Sequence, residues 1–425
     1  MSEIEHDVSD AVDTPTSSVG ESGRNDSRRL GRLLKQYRQP NNLRNLRHLV
    51  MDLGSAIALV TAGVWLCEAM TDGVIHWVIG APVVAAVVVL IGAVQHRLAG
   101  LGHEGSHHVL FRNPWLNEVV ADWLCMFPVF TTTDHYRSLH LGHHRWVNDK
   151  ELDPEFHNLG RARMLHSFPM SRWQFVTHFM SRILWPVSLL RYSWDNMTHG
   201  TIGVTERGKR DWPVIRPVFI AGVVHLAAAT IYMRSMAVGG SVTGVSLVMA
   251  ASVILAGVAV WLIPERHFYR SGYPGCYGPR LRSWFRLTFF TLLQGGLVIG
   301  SIASGSDWVW YFRLLWVLPL ITGFPYFMLL RDAWQHANTD EGRYTNSRVM
   351  FPDPFSRWAI FMYGSDIHLT HHLHPGVPHY KLRRLHEALK RRSADYAEEV
   401  VETYGTFRSS RVGYPCLIET IECEN

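Results

Sequence analysis

The sequence predicts an all-α integral membrane protein: a helical bundle of about six spans, four to six being possible, under a cytosolic helical cap that carries clustered histidines. Three observations lead there. Six apolar stretches approach the roughly 20 residues needed to cross a bilayer. Basic residues crowd one side of them. And nine of the 24 histidines, set against five cysteines, gather in three short clusters close to those stretches. With 425 residues, 47% of them hydrophobic, 18% charged and a mean hydropathy of +0.01, the chain as a whole is not a disordered polypeptide.

Residues 1–30 are polar, rich in Ser and Asp and without an apolar period, so they read as a disordered tail and not as a signal peptide. From Arg28 to Arg47 the chain turns basic, through Arg29, Arg32, Lys35, Arg38 and Arg44, which marks a cytoplasmic flank before the first span. The six stretches lie at about 50–69, 73–95, 212–233, 242–264, 284–306 and 308–330. The second and fourth contain no Asp, Glu, Lys or Arg, whereas the first holds Asp52 and ends at Glu68, and the sixth carries Arg313. With the amino terminus inside, the outer loops near 70–72, 234–241 and 307 contain one basic residue, Arg234. Segments 96–211, 265–283 and 331–425 then face the cytosol, the expected setting being a bacterial inner membrane. Stretches near 116–131 and 171–194, the latter with Trp173, Arg182, Trp185, Arg191 and Trp194, are too short or interrupted to span and suit interfacial or re-entrant helices. One catalytic unit is expected over 31–390, followed by a cytosolic extension over 391–425.

The five cysteines, Cys67, Cys125, Cys276, Cys416 and Cys423, form no CxxC, which excludes a thiolate zinc or iron–sulfur site. Three histidine clusters remain, and the topology places them all on one side of the membrane. They are His103, His107 and His108 after the second span; His140, His143 and His144 further on; and His368, His371 and His372 after the sixth. Residues four apart on a helix are offset by about 40° and residues three apart by about 60° in the opposite sense, so HxxHH converges three imidazoles. In the first cluster His108 is turned about 100° from His107 and fits less well. Eight or nine neutral nitrogens exceed what one ion takes and point to two metal ions; imidazoles without thiolates suit Fe, Zn, Cu or Ni.

From about residue 95 to 390 the chain resembles the membrane-bound fatty acid desaturase and hydroxylase superfamily. The resemblance rests on HxxxHH, HxxHH and HxxHH in that order with spans between the second and third. Supporting it are HVLFRNPWLNE (108–118), HYRSLHLGHH (135–144), TNSR (345–348) and HLTHHLHPGVPHYKLRRLH (368–386). It implies a non-haem centre of two Fe ions, O2 as cosubstrate and C–H oxidation of a lipid-like substrate. In RDAWQH (331–336), His336 matches a further ligand of the family, and Gln335 stands where relatives commonly carry Glu. Asp332, one turn before His336, has three possible roles at such a site: metal ligand, holder of a metal-bound water, or orienter of an imidazole. Pairing with a neighbouring arginine is its other reading.

Cleaving an unactivated C–H bond needs a redox-active metal, which excludes zinc on chemical grounds. Loss of a second hydrogen gives an alkene and delivery of oxygen gives an alcohol, so the same boxes serve a desaturase, a hydroxylase, a ketolase or an oxidative decarboxylase. An O2-dependent desaturase of a fatty acyl or lipid-like substrate is the first expectation, with carotenoids and amino-acid-derived metabolites as other substrates. A histidine-lined metal transporter is the rival class, disfavoured because the second and fourth spans offer no ionisable residue but His76. No GxGxxG following a strand, ferredoxin cysteine set or separate haem domain is present, so electrons must come from a separate ferredoxin, rubredoxin or similar donor. Lys381, Arg383, Arg384, Lys390, Arg391 and Arg392 form a basic surface suited to steering an acidic donor, or to holding anionic lipid. No nucleic-acid partner is expected.

Overall fold

The structure, a computed structural model, describes residue 31, residues 34–155 and 168–205, residues 207 and 209, and residues 212–422. The expected tail over 1–30 lies outside these residues. Six helices are long and apolar enough to cross a membrane: α1 (Asn42–Thr71), α2 (Trp77–Ser106), α7 (Trp212–Val238), α8 (Val242–Leu262), α9 (Pro279–Ser304) and α10 (Trp308–His336). Between α2 and α7 lie α3 (Pro114–Val120), α4 (Thr133–Arg145), α5 (Arg172–His178) and α6 (Leu190–Ile202). After α10 come β1 (Val349–Phe351), α11 (Pro354–Ala359), α12 (His368–Leu373), α13 (His379–Lys390), α14 (Ala394–Glu399), β2 (Glu402–Tyr404) and α15 (Glu419–Glu422). The protein is therefore an all-α integral membrane protein, its one sheet among the described residues being the parallel pair β1–β2.

The spans divide into two packed groups. In α1, α2 and α10, Leu66, Val84, Val87, Ile91 and Leu315 interlock. At one crossing the backbones of α2 and α10 meet: a Cβ on Gly92 would lie 2.6 Å from the Gly323 carbonyl carbon. In lipid, where apolar contact between helices has no hydrophobic drive behind it, such close approach of small residues is what holds spans together. The second group, α7, α8 and α9, packs through Ala229, Met233, Val245 and Val298 and leaves Val224, Ile231, Leu255 and Trp261 on its outer surface.

Several of the expected boundaries move, two of them on the spans that carry histidines to the site. Span two was expected to end at 95, yet α2 continues to Ser106 with Gln95, His96 and Glu104 buried. Its polar residues find partners on other elements: Gln95 Nε2 donates to Trp316 O at 2.8 Å, and Arg97 pairs with Asp52 at 2.8 Å. His103 consequently sits on the last turn of the span and not beyond it. Span six runs six residues past 330, and it is interrupted, with a π-turn over Arg313–Val317 and a break at Thr322 (φ −126°, ψ −78°). The segment over 171–194 behaves as an interfacial stretch does: Trp173, Trp185 and Trp194 are exposed while Phe175, Phe179 and Leu189 are buried.

Residues 391–422, expected as part of an extension, pack into the same unit. β2 pairs with β1, and Cys416, Leu417, Ile418 and Ile421 join a core with Trp334 and Phe361.

Candidate metal centre

Four elements bring histidines to one place at the same end of the bundle, and local contacts fasten α2, α4 and α10 there. α2 stops at Ser106 because the chain turns away through His108, which lies in the left-handed region at φ 58°. The buried Asn117 stabilises that turn. Its Oδ1 accepts from the Leu110 and Phe111 N–H groups and its Nδ2 donates to Gly105 O. α4 starts under Thr132, whose hydroxyl accepts from the His135 N–H, and Asp122, which accepts from the Thr133 N–H at 2.7 Å.

Two buried arginines then cap the spans that deliver histidines. Arg137 on α4 donates to Ser106 O and Gly105 O, the carbonyls at the end of α2. Arg348 donates to Trp334 O, Ala337 O and Asn338 O at the end of α10. The unsatisfied carbonyls of a helix C-terminus carry partial negative charge, so a cation there both satisfies and stabilises them. Burial lowers the Arg348 guanidinium to about 9. Arg137 is held in turn by Glu118, which with Asp122 and Asp134 also binds Arg282 at the start of α9.

The result is two groups of imidazole nitrogens. His103, His107, His140, His144 and His371 form one; His143, His336, His368 and His372 form the other, and the nitrogens within each lie within 4.8 Å of one another. Nine of the ten histidines singled out in the sequence are thus gathered, while His108 is not: its ring faces Glu118 at 3.7 Å and its side chain is half exposed. The left-handed turn at His108 explains this. Every HxxHH cluster is split, with His143 going to a different group from His140 and His144, and His371 to a different group from His368 and His372.

The distances fit metal ligation. Nε2–Nε2 separations are 3.0 Å for His103–His371, 3.1 Å for His107–His140, 3.0 Å for His140–His144, 3.0 Å for His336–His368 and 2.9 Å for His368–His372. Two nitrogens at right angles about one ion, each about 2.1 Å from it, stand about 3.0 Å apart. Hydrogen bonding alone does not explain the set. His140 Nδ1 lies 3.2 Å from Glu155 and His143 Nδ1 2.8 Å from Asp153, so in the neutral rings each Nε2 carries a lone pair. Burial lowers the pKa of His107, His144, His368, His371 and His372 well below the usual value, with neighbouring histidines adding to it. Burial lowers His140 to about 4 even though the bond to Glu155 raises it. Neutral, preoriented imidazoles are what a metal ion requires.

Asp332 belongs to neither group. It pairs with Arg331 at 3.1 Å and accepts from the Tyr192 hydroxyl at 3.1 Å, which is its arginine-paired reading, while also lining the chamber beside His103, His143 and His336. Gln335 lines the same chamber, its amide donating to Ser365 O at 2.7 Å.

Sequence reasoning missed the supporting carboxylates. Asp153 and Glu155 lie in NDKELDPE, directly after the second cluster, where the run of acids was the available signal. Glu104, inside the first cluster, accepts from the backbone N–H and Nδ1 of His379 at 2.9 and 3.0 Å and lies 3.7 Å from His103 Nδ1.

Three further spaces adjoin the chamber or one another. A cavity of about 100 Å³, walled by residues such as Met126, Leu320, Phe324 and Met328, shares Tyr136, Glu155 and Arg331 with the chamber. A second apolar space of about 300 Å³ between α7 and α9 meets that cavity at Phe130 and His135. On the other side a groove of about 960 Å³ shares Tyr363 and Gly364 with the chamber. It is lined by Arg44, Arg97, Arg357, Arg383, Arg384 and Arg391 against Asp366 and Glu387. Two lysines of the expected basic surface are engaged elsewhere: Lys381 donates to Gln36 O and Gln39 O, and Lys390 pairs with Glu402.

The family model described as fatty acid desaturase matches residues 80–277 and 263–404. A curated relative, the dihydrorhizobitoxine desaturase of Bradyrhizobium elkanii, is 22% identical over 351 residues, covering 80% of this chain and 76% of the relative.

Proposed function

Since the chain belongs to the fatty acid desaturase family, we propose that it is an O2-dependent diiron desaturase whose nine gathered histidines hold the two ions. The observation that carries this reading is the pair of Nε2 groups, five and four, with ligand-like spacing and carboxylates behind two of the rings. Two iron ions, when bound, supply the redox chemistry by which dioxygen is activated for C–H cleavage. The balanced reaction takes substrate, O2, two electrons and two protons to an alkene and two waters.

The protein's own groups do the rest. Asp153 and Glu155 hold the tautomers of His143 and His140, so that Nε2 is presented as a ligand. The apolar cavity positions carbon next to the chamber and limits the water that reaches it. The basic groove suits an acidic ferredoxin or rubredoxin as electron donor, and His379, Glu104 and His103 make a chain of close contacts from its wall to the first nitrogen group. The site end of the bundle faces the cytosol of a bacterial inner membrane on this reading, in keeping with the basic flank at the start of α1.

For the substrate, an acyl or lipid-like chain agrees with the apolar spaces opening toward α7 and α9. A second reading, a small metabolite, is favoured by the cavity of about 100 Å³ next to the chamber and by the relative's name. Comparing lipids and small metabolites by mass spectrometry in cells with and without the intact gene, and with an H371A copy, tests the function. A product gaining one double bond is expected only with the intact gene. An unchanged profile, together with no iron-dependent oxygen uptake by the purified protein, would overturn it.

A further inference from the structure

We infer that the cavity beside the metal chamber recognises a small carboxylic acid that also carries an N–H or O–H donor, with Arg331 holding the carboxylate and His96 accepting from the donor. This rests on the proposed desaturase reading and narrows its substrate to an amino or hydroxy acid.

Two orphaned polar atoms on one cavity carry the argument. Arg331 Nη2 donates to Asp332 at 3.1 Å, a single-pronged contact with its sequence neighbour, while its Nε is buried with no hydrogen-bond partner among the described residues. A guanidinium is built to offer two parallel N–H groups to one carboxylate, and here the Nε side is left unused. On the same cavity, His96 Nδ1 lies 3.0 Å from Ala359 O. A carbonyl only accepts, so the proton of the neutral ring is on Nδ1 and Nε2 carries a lone pair; that Nε2 is also buried without a partner among the described residues. One unmatched donor and one unmatched acceptor thus belong to two residues that line a single small space, whose other walls include Met126, Leu320, Phe324 and Met328.

A plain hydrocarbon chain leaves both atoms unsatisfied, a costly arrangement for buried groups and costlier still for a charged one. A ligand with an oxyanion and a hydrogen-bond donor satisfies both. Position adds to this. Arg331 lines the cavity and the metal chamber alike, so a carboxylate on Arg331 sits at their boundary and brings the carbons close to it to the chamber.

The test is binding, read without turnover, to iron-loaded protein in detergent micelles. The probes are norleucine, 2-hydroxyhexanoate, hexanoate and the methyl ester of norleucine, measured by calorimetry. Norleucine is expected to bind at least about tenfold more tightly than its methyl ester, because a site built for a polar group rejects the analogue lacking it. R331Q should abolish that ratio and H96F should abolish the preference for norleucine over hexanoate, both with iron content unchanged. An ester bound as well as the acid would overturn the proposal, as would an R331Q protein with the wild-type ratio, which would place the carboxylate on the metal. Binding of a long-chain acyl lipid with no binding of the short acids would overturn it too. Should R331Q fail to accumulate, the acid-to-ester ratio of the wild type decides. Oxygen uptake, measured separately, reports on the desaturase reading itself.

Discussion

The rings of His144 and His372 stack at 4.5 Å with their planes 29° apart, although their nitrogens serve different groups. The two groups therefore share a wall, and on the diiron reading neither ion would be held independently of the other. Replacing His144 or His372 with Ala should lower the occupancy of both ions, and H143A and H371A should abolish turnover. His108, turned away by its left-handed backbone, should tolerate Ala with metal content unchanged. Metal analysis of the purified variants, with turnover assayed for H143A and H371A, checks all five.

Asp153 and Glu155 should matter nearly as much as the ligands they orient. D153N and E155Q keep the shape but weaken the acceptors behind His143 and His140. Loss of such an orienting partner typically costs about 10–100-fold in metal affinity. Competition with a chelator at graded concentrations measures it, and an unchanged affinity would remove these residues from the site.

The crossing of α2 and α10 sets how far His103 and His336 stand apart. A Cβ at Gly92 would meet the Gly323 backbone at 2.6 Å, and one at Gly323 would meet Gly92 Cα at 3.2 Å. G92V should therefore separate the two spans, destabilise the protein by about 1–3 kcal/mol as overpacking does, and loosen metal retention. G323A should have a smaller effect. Thermal unfolding in detergent with iron release followed in parallel compares them.

Glu118 neutralises two buried arginines at once, Arg137 and Arg282. Removing one partner of a buried ion pair leaves an uncompensated charge and costs about 3–5 kcal/mol. E118A should show a loss of that order in unfolding midpoint measurements, larger than the loss for R172A, whose partner Glu422 is partly exposed.

Acid should loosen the carboxy-terminal part first. Burial raises the pKa of Glu402, but hydrogen bonds from His386 at 2.9 Å and Lys390 at 2.5 Å outweigh it and hold the carboxyl at about 2, below its ordinary 4.5. A depressed folded-state pKa gives stability that is fully present above about 4.5 and is lost as pH falls toward about 2. E402Q should be less stable than the wild type at neutral pH and should lose the acid-side slope over that window. A pH series of denaturant midpoints shows whether it does.

The spans were legible because the information is local: an apolar run without charges, such as 242–264, identifies itself, and α8 falls within two residues of it. The end of α2 was not. Gln95, His96 and Arg97 look like an exit from the membrane until Trp316, Ala359 and Asp52 are seen to receive them. The histidines were legible as a set through their spacing, but not their division into groups, since HxxHH on one helix gives three neighbours and the fold sends the middle ring elsewhere. Asp153, Glu155, Arg137 and Arg348 act through partners distant in the chain or through loop geometry, and no periodicity marks them. The π-turn and break in α10, which set the direction of its last turns, likewise leave no pattern in an apolar segment.

The central claim is a site for two iron ions built from nine histidines. Anaerobic loading with ferrous iron, followed by metal analysis and Mössbauer spectroscopy of the wild type and H371A, tests it most directly. The account predicts about two irons per chain in nitrogen-rich, coupled sites in the wild type, and a loss from both sites in H371A. A single iron per chain, zinc retained in place of iron, or full iron loading in H371A would contradict it.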